Sequence, residues 1–159
     1  MKKSKLKAGA GGNWRRFDEK FDETVVKQTN DFSCVAAVGE MLAGHYGLNL
    51  TQAAILGEIG ELSNAFALAD YLNKADKTER KWIGGNFPPV IEFIEGITSS
   101  TMVWAVVLRE RTALGHAVLI DGLDENGLVK IKDPFDQTSY KMTIEDLFEV
   151  LSEFVVKRK

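Results

Sequence analysis

The stretch from residue 28 to residue 37, Gln-Thr-Asn-Asp-Phe-Ser-Cys-Val-Ala-Ala, marks the point where an irregular polar segment gives way to an apolar helix. It contains Asn, Asp and Ser, which are favoured at helix N-termini, and apolar residues then recur at helical spacing. The pattern predicts a helix over residues 33–45. The only cysteine of the chain, Cys34, falls in its first turn. There the helix dipole and the unpaired backbone N–H groups favour a thiolate over a thiol.

A thiolate nucleophile needs a base, and the chain has two histidines. His45 lies on the same predicted helix as Cys34, but roughly 16 Å away along the helix axis at ~1.5 Å per residue. We therefore expect His45 to be structural, near the C-terminal end of the helix dipole, where a cation is favoured. His116 is the remaining candidate for the base. It opens an apolar run that is typical of a buried strand.

A hairpin follows His116 and suggests a third functional group. The Asn-Gly pair at 126–127 is a strong hairpin signal, and the return strand ends in Asp133. With a four-residue loop at 124–127, Asp133 lies on the same face as His116, as a diagonal neighbour ~7–8 Å away between Cα atoms. A two-residue loop keeps the shared face with a wider offset, whereas a three- or five-residue loop would separate the two residues. We expect the four-residue loop, with Asp133 orienting His116 and stabilising its charged form.

Gln28 lies upstream of the cysteine, in a loop that could curl beside the thiol. Its side-chain amide could donate a hydrogen bond to a developing oxyanion. Each of these four residues also has a plain structural interpretation: a core thiol, a strand pair of histidine and aspartate, and a glutamine that caps a loop.

The order and flanks of these residues resemble the papain-like cysteine peptidases. The matching elements are Gln-x5-Cys at a helix start, Gly-His-Ala-Val-Leu-Ile in the C-terminal half, and Ile-Lys-Asp-Pro. Within that clan the chain is most similar to the bacteriocin-processing (double-glycine leader) peptidases and to the papain-fold toxin domains of bacterial polymorphic and contact-dependent inhibition systems. The resemblance implies Cys34 as nucleophile, His116 as general base and acid, Asp133 as orienting residue and Gln28 as oxyanion donor. The Ser-Cys-Val around the cysteine departs from the Asp-Cys-Gly usual in the processing peptidases.

Length and composition bound the other possibilities. Residues 1–13 are basic and then rich in Ala and Gly, which predicts a flexible tail or linker, and residues 14–159 are expected to form one domain. The net charge of −3 gives no reason to expect a nucleic acid or a membrane as partner. A single cysteine excludes an internal disulfide and a multi-cysteine metal site, and no cofactor is expected. No apolar run approaches the ~20 residues of a membrane span, and the basic start lacks the apolar stretch of a secretory signal.

The remaining pattern predicts an α+β fold in which the helix that carries the nucleophile packs on a C-terminal antiparallel sheet. Ser63 is expected to cap the third helix, residues 76–81 to form a solvated charged loop, and residues 84–89 to form a turn-rich loop, with Pro89 in the first turn of the next helix. The further predicted helices are 51–58, 63–74, 89–97 and 143–151, and the further predicted strands are 102–108, 139–142 and 154–157. Trp104 is expected to be a core residue.

These observations predict a thiol-dependent acyl-transfer enzyme, most simply a cysteine peptidase with a peptide or protein substrate. The resemblance to toxin domains implies the effector part of a larger bacterial protein, which is secreted or displayed, acts in the cytoplasm of the target cell, and is neutralised by an immunity protein. Two alternatives stay open at this point. One is a papain-fold toxin that acts on a non-peptide target such as RNA, and the other is a peptide-binding module without catalysis.

Overall fold

The computed structural model describes residues 14–86, 90–99, 102–110 and 115–158. In chain order its elements are β1 (Phe17–Phe21), α1 (Cys34–His45), α2 (Gln52–Ile59), α3 (Ala65–Ala75), β2 (Trp82–Asn86), α4 (Val90–Thr98), β3 (Trp104–Leu108), β4 (His116–Leu123), β5 (Val129–Asp133), β6 (Thr138–Met142), α5 (Ile144–Val150) and β7 (Leu151–Lys157). The predicted tail at residues 1–13 and the predicted position of Pro89 lie outside these ranges. Across the described ranges, every helix is too short or too polar to span a bilayer.

The seven strands form one antiparallel sheet in the order β1-β6-β5-β4-β3-β7-β2. Strands β3 to β7 form its centre, and β1 and β2, which precede them in the chain, form its two edges. The sequence pattern predicted neither edge strand. The α+β class is confirmed, but the division into a helical first half and a sheet-forming second half is less complete than expected.

Helices cover both faces of the sheet. The helices α1, α2 and α3 pack on one face, where Ala105, Val107, Ala117 and Leu119 point towards them. On the other face Phe93 of α4 and Leu147 of α5 pack against the alternate residues of the same strands. This core includes Trp104, which is fully buried as predicted. The alternation along β3 and β4 therefore feeds two separate cores, and both strands are buried throughout their central residues.

The helix termini follow their capping residues. The side chain of Thr51 accepts a hydrogen bond from the backbone N–H of Ala54, and the side chain of Thr143 accepts one from that of Asp146. Helices α2 and α5 therefore begin where the sequence predicts. The expected side-chain cap of α3 is wrong, and α1 has no side-chain cap. Asn64, not Ser63, caps α3, and Ser33 precedes α1 without capping it, because its hydroxyl bonds to the backbone of Asn30. The first-turn N–H groups of α1 therefore receive no side-chain cap.

The turn-rich loop expected at residues 84–89 is wrong in its first half. Gly84 and Gly85 lie in β2, and residues 87–89 lie outside the described ranges. A Cβ on Gly84 would stand 3.0 Å from the backbone oxygen of Ala65, and a Cβ on Gly85 would stand 2.8 Å from the ring of Phe154. These glycines permit close packing against the edge strand rather than a turn.

The solvated loop expected at residues 76–81 is wrong at its first residue. Asp76 is buried, and its carboxylate lies 2.8 Å from Nζ of Lys157 and accepts a hydrogen bond from the indole of Trp82. The ion pair joins the end of α3 to β7, a contact between residues too far apart in sequence for local pattern to indicate.

The predicted four-residue loop at 124–127 is also wrong. Leu123 lies opposite Val129, so an odd number of residues separates the paired positions. A β-bulge before Leu123 absorbs the extra residue, and Gly122 there has φ of +80°, a conformation that favours glycine.

Upstream of the bulge the strands return to the register expected from the four-residue loop. Ile120 lies opposite Ile131. His116 and Asp133 consequently share one face of the sheet, as predicted, although the bulge rather than the loop length produces this result.

Candidate active site

Cys34 is the first residue of α1, and its side chain is 6% exposed. The helix packs against β4, and the backbone N–H of Ala117 donates to Sγ of Cys34 at 3.5 Å. The sulfur thus lies at the N-terminus of a helix and against the backbone of the residue that follows His116. This position combines the helix dipole with a hydrogen bond that a thiolate accepts better than a thiol.

His116 and Asp133 form a buried pair on the sheet. Nε2 of His116 lies 2.6 Å from Oδ1 of Asp133, and the two residues are 0% and 2% exposed. The backbone N–H of Phe135 also donates to Oδ1, at 3.0 Å. The contact assigns Nε2 to Asp133, so Nδ1 is the ring nitrogen that remains for chemistry.

The charges in the site support one another. Burial by itself lowers the pKa of His116, but the carboxylate of Asp133 and the sulfur of Cys34 overcome it and raise that pKa to about 10. Burial raises the pKa of Cys34, but hydrogen bonding and the positive charge of His116 outweigh burial, and the pKa falls below its usual value. The pKa of Asp133 is also lowered, because the His116 charge outweighs burial. These directions favour a thiolate–imidazolium pair at neutral pH.

Nδ1 of His116 makes no hydrogen bond of standard geometry with any described residue. Its interaction with the Cys34 sulfur nevertheless raises the pKa of His116 and lowers that of Cys34. Catalytic hydrogen bonds are often long or poorly aligned until substrate binds, so this geometry is compatible with proton transfer between the two groups.

The sequence analysis missed two residues that hold Asp133. The hydroxyl of Tyr140 donates to Oδ2 of Asp133 at 2.8 Å, and the indole N–H of Trp14 donates to the Tyr140 oxygen at 2.9 Å. The Trp14 ring also stacks near the ring of His116, with centroids 6.0 Å apart. Both carboxylate oxygens of Asp133 are therefore occupied. Trp14 and Tyr140 are 126 positions apart, and no local signal in the sequence connects them.

Gln28 is buried, but its side chain makes no hydrogen bond to the thiol. Its Nε2 donates to the backbone oxygen of Asn30 at 2.8 Å, and its Oε1 has no hydrogen-bond partner among the described residues. Its backbone N–H donates to the oxygen of Pro134 at 2.9 Å, which ties the Gln28 loop to the turn after Asp133. His45 lies exposed at the far end of α1, with its ring edge against Tyr46, in keeping with its exclusion.

A cavity of about 280 Å³ opens at the thiol. Its lining combines the apolar rim residues Phe32 and Leu62 with the charged side chains of Arg109 and Glu153. A second cavity, of about 460 Å³, lies over strands β1, β4, β5 and β6. It is lined mainly by lysines and aspartates. We regard the smaller cavity as the functional one, because it alone of the two reaches the cysteine. Among the described residues, no cluster of His, Cys, Asp or Glu is arranged to hold a metal ion.

Comparison with known proteins finds similarity both to a curated protein and to solved structures. No family model matches the chain. The chain is 37% identical over 146 residues to Cysteine protease effector 1 of Escherichia coli O1:K1:H7; the match covers 91% of this chain but only 29% of that protein. The fold is similar to that of the peptidase domain of Streptococcus ComA, a bifunctional ABC transporter involved in a quorum-sensing pathway (TM-score 0.64, 18% identity, 84% of this chain and 96% of that chain). It is also similar to a double-glycine-motif protease from an AMS/PCAT transporter, solved with its leader peptide (TM-score 0.62, 14% identity, 91% of this chain and 94% of that chain).

Proposed function

We propose that this chain, which has the fold of the papain-like cysteine peptidases, hydrolyses peptide bonds through Cys34 as the effector domain of a bacterial toxin. The observation that carries the proposal is the contact of His116 with Asp133 beside a buried cysteine at a helix N-terminus. The name of the Escherichia coli relative, a cysteine protease effector, supports the same chemistry and the effector role.

In the first half of the reaction the Cys34 thiolate attacks the carbonyl carbon of a peptide bond, and a C–S bond forms. The developing oxyanion would be bound by the second amide hydrogen of Gln28 and by the backbone N–H of Cys34, which as the first helical residue has no partner within the helix. The imidazolium of His116 then gives its proton to the leaving amine, the C–N bond breaks, and an acyl-thioester remains on Cys34.

In the second half a water molecule replaces the amine. His116, now neutral, accepts a proton from the water as it attacks the thioester carbonyl, and the C–S bond breaks. The products are a carboxylic acid and the restored thiolate–imidazolium pair. Asp133 stays ionised throughout and holds the imidazole through Nε2, so that Nδ1 performs both proton transfers.

The effector role implies a larger protein and a protective partner. The chain spans less than a third of the length of its curated relative, which fits a domain carried by a longer delivery protein. In this proposal the domain is secreted or displayed by one bacterium and acts in the cytoplasm of another. An immunity protein in the producing cell blocks the cleft at Cys34.

The proposal is tested by inducing the domain in the cytoplasm of a bacterium that lacks the immunity protein. The intact domain is expected to arrest growth, whereas Cys34→Ala and His116→Ala are expected to permit it. His45→Ala is the matched control, because it removes the other histidine without touching the site, and it should remain toxic. New protein N-termini in the arrested cells, mapped by mass spectrometry, would identify the cleaved peptide bonds.

Three outcomes would contradict the proposal. Normal growth with the intact, soluble domain would count against a toxin. Arrest by Cys34→Ala would indicate a binding module that needs no catalysis. Degraded RNA without new protein N-termini would indicate a nuclease.

A further inference from the structure

The side chain of Gln52 is a buried carboxamide outside the residues discussed so far. Gln52 is the first residue of α2 and is 6% exposed. Its Nε2 donates to the backbone oxygen of Lys27 at 2.9 Å, and its Oε1 accepts from the backbone N–H of Thr29 at 2.9 Å. One side chain thus binds the peptide groups on both sides of Gln28.

The Gln28 segment is held from the opposite side as well. The backbone N–H of Gln28 donates to Pro134, next to Asp133, while its amide is turned by the bond to Asn30. The bond to Asn30 uses one amide hydrogen, and the second remains for an oxyanion. Gln28 therefore lies between a contact to the sheet and a double contact to α2.

Gln52 is itself tied to the helix that carries the nucleophile. Its backbone N–H donates at 2.6 Å to Oε1 of Glu40, which lies in α1. A chain of hydrogen bonds consequently runs from α1 through Gln52 to the backbone on either side of Gln28. It ties the Gln28 loop to the helix whose first residue is Cys34.

We infer that Gln52 is a positioning residue for the oxyanion donor Gln28. The inference rests on the proposed function, since it presupposes that Gln28 stabilises an oxyanion. Donors in such a site must be held to within about 0.5 Å of the productive geometry, and a loop held only by its own turn does not meet that demand. Glutamine suits the role because one rigid amide both donates and accepts, which matches a backbone segment presenting an oxygen and an N–H two residues apart.

Two reagents separate positioning from general structure. p-Nitrophenyl acetate acylates the thiolate: the S–C bond forms through a tetrahedral oxyanion, and p-nitrophenolate leaves. Iodoacetamide alkylates the same thiolate by displacing iodide, with no oxyanion. Gln52→Ala is expected to slow acylation by about 10- to 100-fold. This loss is no larger than the loss caused by removing an oxyanion donor outright. The rate of alkylation and its pH profile should stay within about twofold of the wild type.

Gln28→Ala and the double variant complete the design. Gln28→Ala should show the same selective loss of acylation. Adding Gln52→Ala to Gln28→Ala should slow acylation by no more than about twofold further, because the donor that Gln52 positions is already absent. Gln52→Glu keeps the side-chain volume and the acceptor for Thr29 but cannot donate to Lys27. It serves as a second variant of nearly unchanged side-chain volume and should also lose acylation selectively.

Asn73 offers a matched control for the loss of a carboxamide contact. Its side chain binds both the N–H and the oxygen of Trp82, at 2.7 and 2.9 Å, far from the thiol. Asn73→Ala therefore removes the same pair of hydrogen bonds and should leave both reactions unchanged.

The outcomes distinguish this inference from the proposed function. Wild-type acylation in Gln52→Ala and Gln52→Glu, with slow acylation in Gln28→Ala, would overturn the role of Gln52 alone. Equal losses of acylation and alkylation in the Gln52 variants would also overturn it, in favour of a general structural role. Wild-type acylation in Gln28→Ala would remove the oxyanion role of Gln28 and, with it, the basis of the inference.

Discussion

Replacing Asp133 by Asn should raise the pH at which Cys34 becomes reactive. The substitution preserves the size of the side chain, and its oxygen can still accept from Nε2 of His116, so the geometry of the 2.6 Å contact is kept while the charge is lost. Without the carboxylate, burial dominates and lowers the pKa of His116, which becomes neutral near pH 7. Cys34 then loses the cation that offsets its own burial, and its pKa rises.

The size of the shift follows from the charges. The relevant pair is the Cys34 thiolate and the His116 imidazolium. Two unit charges ~4 Å apart interact by about 4 kcal/mol at an effective dielectric constant of 20, and 1.36 kcal/mol corresponds to one pKa unit. Allowing for relaxation and for water that enters the cleft, we expect the midpoint of alkylation to rise by about 1–2 units. At a pH below both midpoints, this means a thiolate fraction lower by about 10- to 100-fold.

The assay is the rate of iodoacetamide alkylation, followed by intact mass between pH 4 and pH 10. Asp121→Asn removes a carboxylate from the same strand as His116 without touching the site, and it serves as the control that should leave the profile unchanged. Tyr140→Phe removes a hydrogen bond to the Asp133 carboxylate and the acceptor of the Trp14 indole but keeps the charge of Asp133, so it should shift the midpoint upward by less than Asp133→Asn. An Asp133→Asn profile that coincides with that of the wild type would refute the ion-pair reasoning.

Two further predictions concern stability. Gly39→Ala should destabilise the fold by about 1 kcal/mol, because its Cβ would stand 2.8 Å from a methyl group of a buried leucine in α3. Gly44→Ala, with nothing within 4 Å of its Cβ, should stabilise the fold by about 0.5–1 kcal/mol. Thermal unfolding of the two variants measures both changes, and equal effects would contradict the packing argument. Lys157→Met should cost about 3 kcal/mol at pH 7, since it leaves the buried carboxylate of Asp76 without its cation. The pKa of Asp76 is held below its usual range because the hydrogen bond from Lys157 and those from Thr78 and the Trp82 indole outweigh burial, so the pair stabilises the fold above about pH 4 and less as the pH falls below that. The gap in melting temperature between wild type and Lys157→Met should therefore narrow from pH 7 to pH 3, and a constant gap would argue against this account.

Local patterns in the sequence predicted the features that depend on local physics. The start of α1 at Cys34 follows from a change in periodicity, and the starts of α2 and α5 follow from Thr51 and Thr143. The shared face of His116 and Asp133 follows from the two-residue period of strands. That prediction reached the correct register although the assumed loop was wrong, because the bulge at Gly122 compensates.

The features that were missed depend on residues far apart in the chain. The contact of Tyr140 with Asp133 and of Trp14 with Tyr140 exists only once β1, β5 and β6 are adjacent. The carboxamide of Gln52 has no meaning as a pattern until α2 lies beside the Gln28 loop. Gly84 and Gly85 have the composition of a turn, and only the approach of α3 and of the Phe154 ring shows that they serve a strand.

The position of β7 has a consequence for biosynthesis. This strand is made after Cys34, His116 and Asp133, yet it lies inside the sheet, between β3 and β2. While residues 151–157 are still within the ribosome, β3 has an open edge and β2 has no neighbour to join. At that stage the nascent chain already carries its cysteine, histidine and aspartate, while the sheet is still incomplete. The sheet is therefore completed by a strand that leaves the ribosome after all three of these residues.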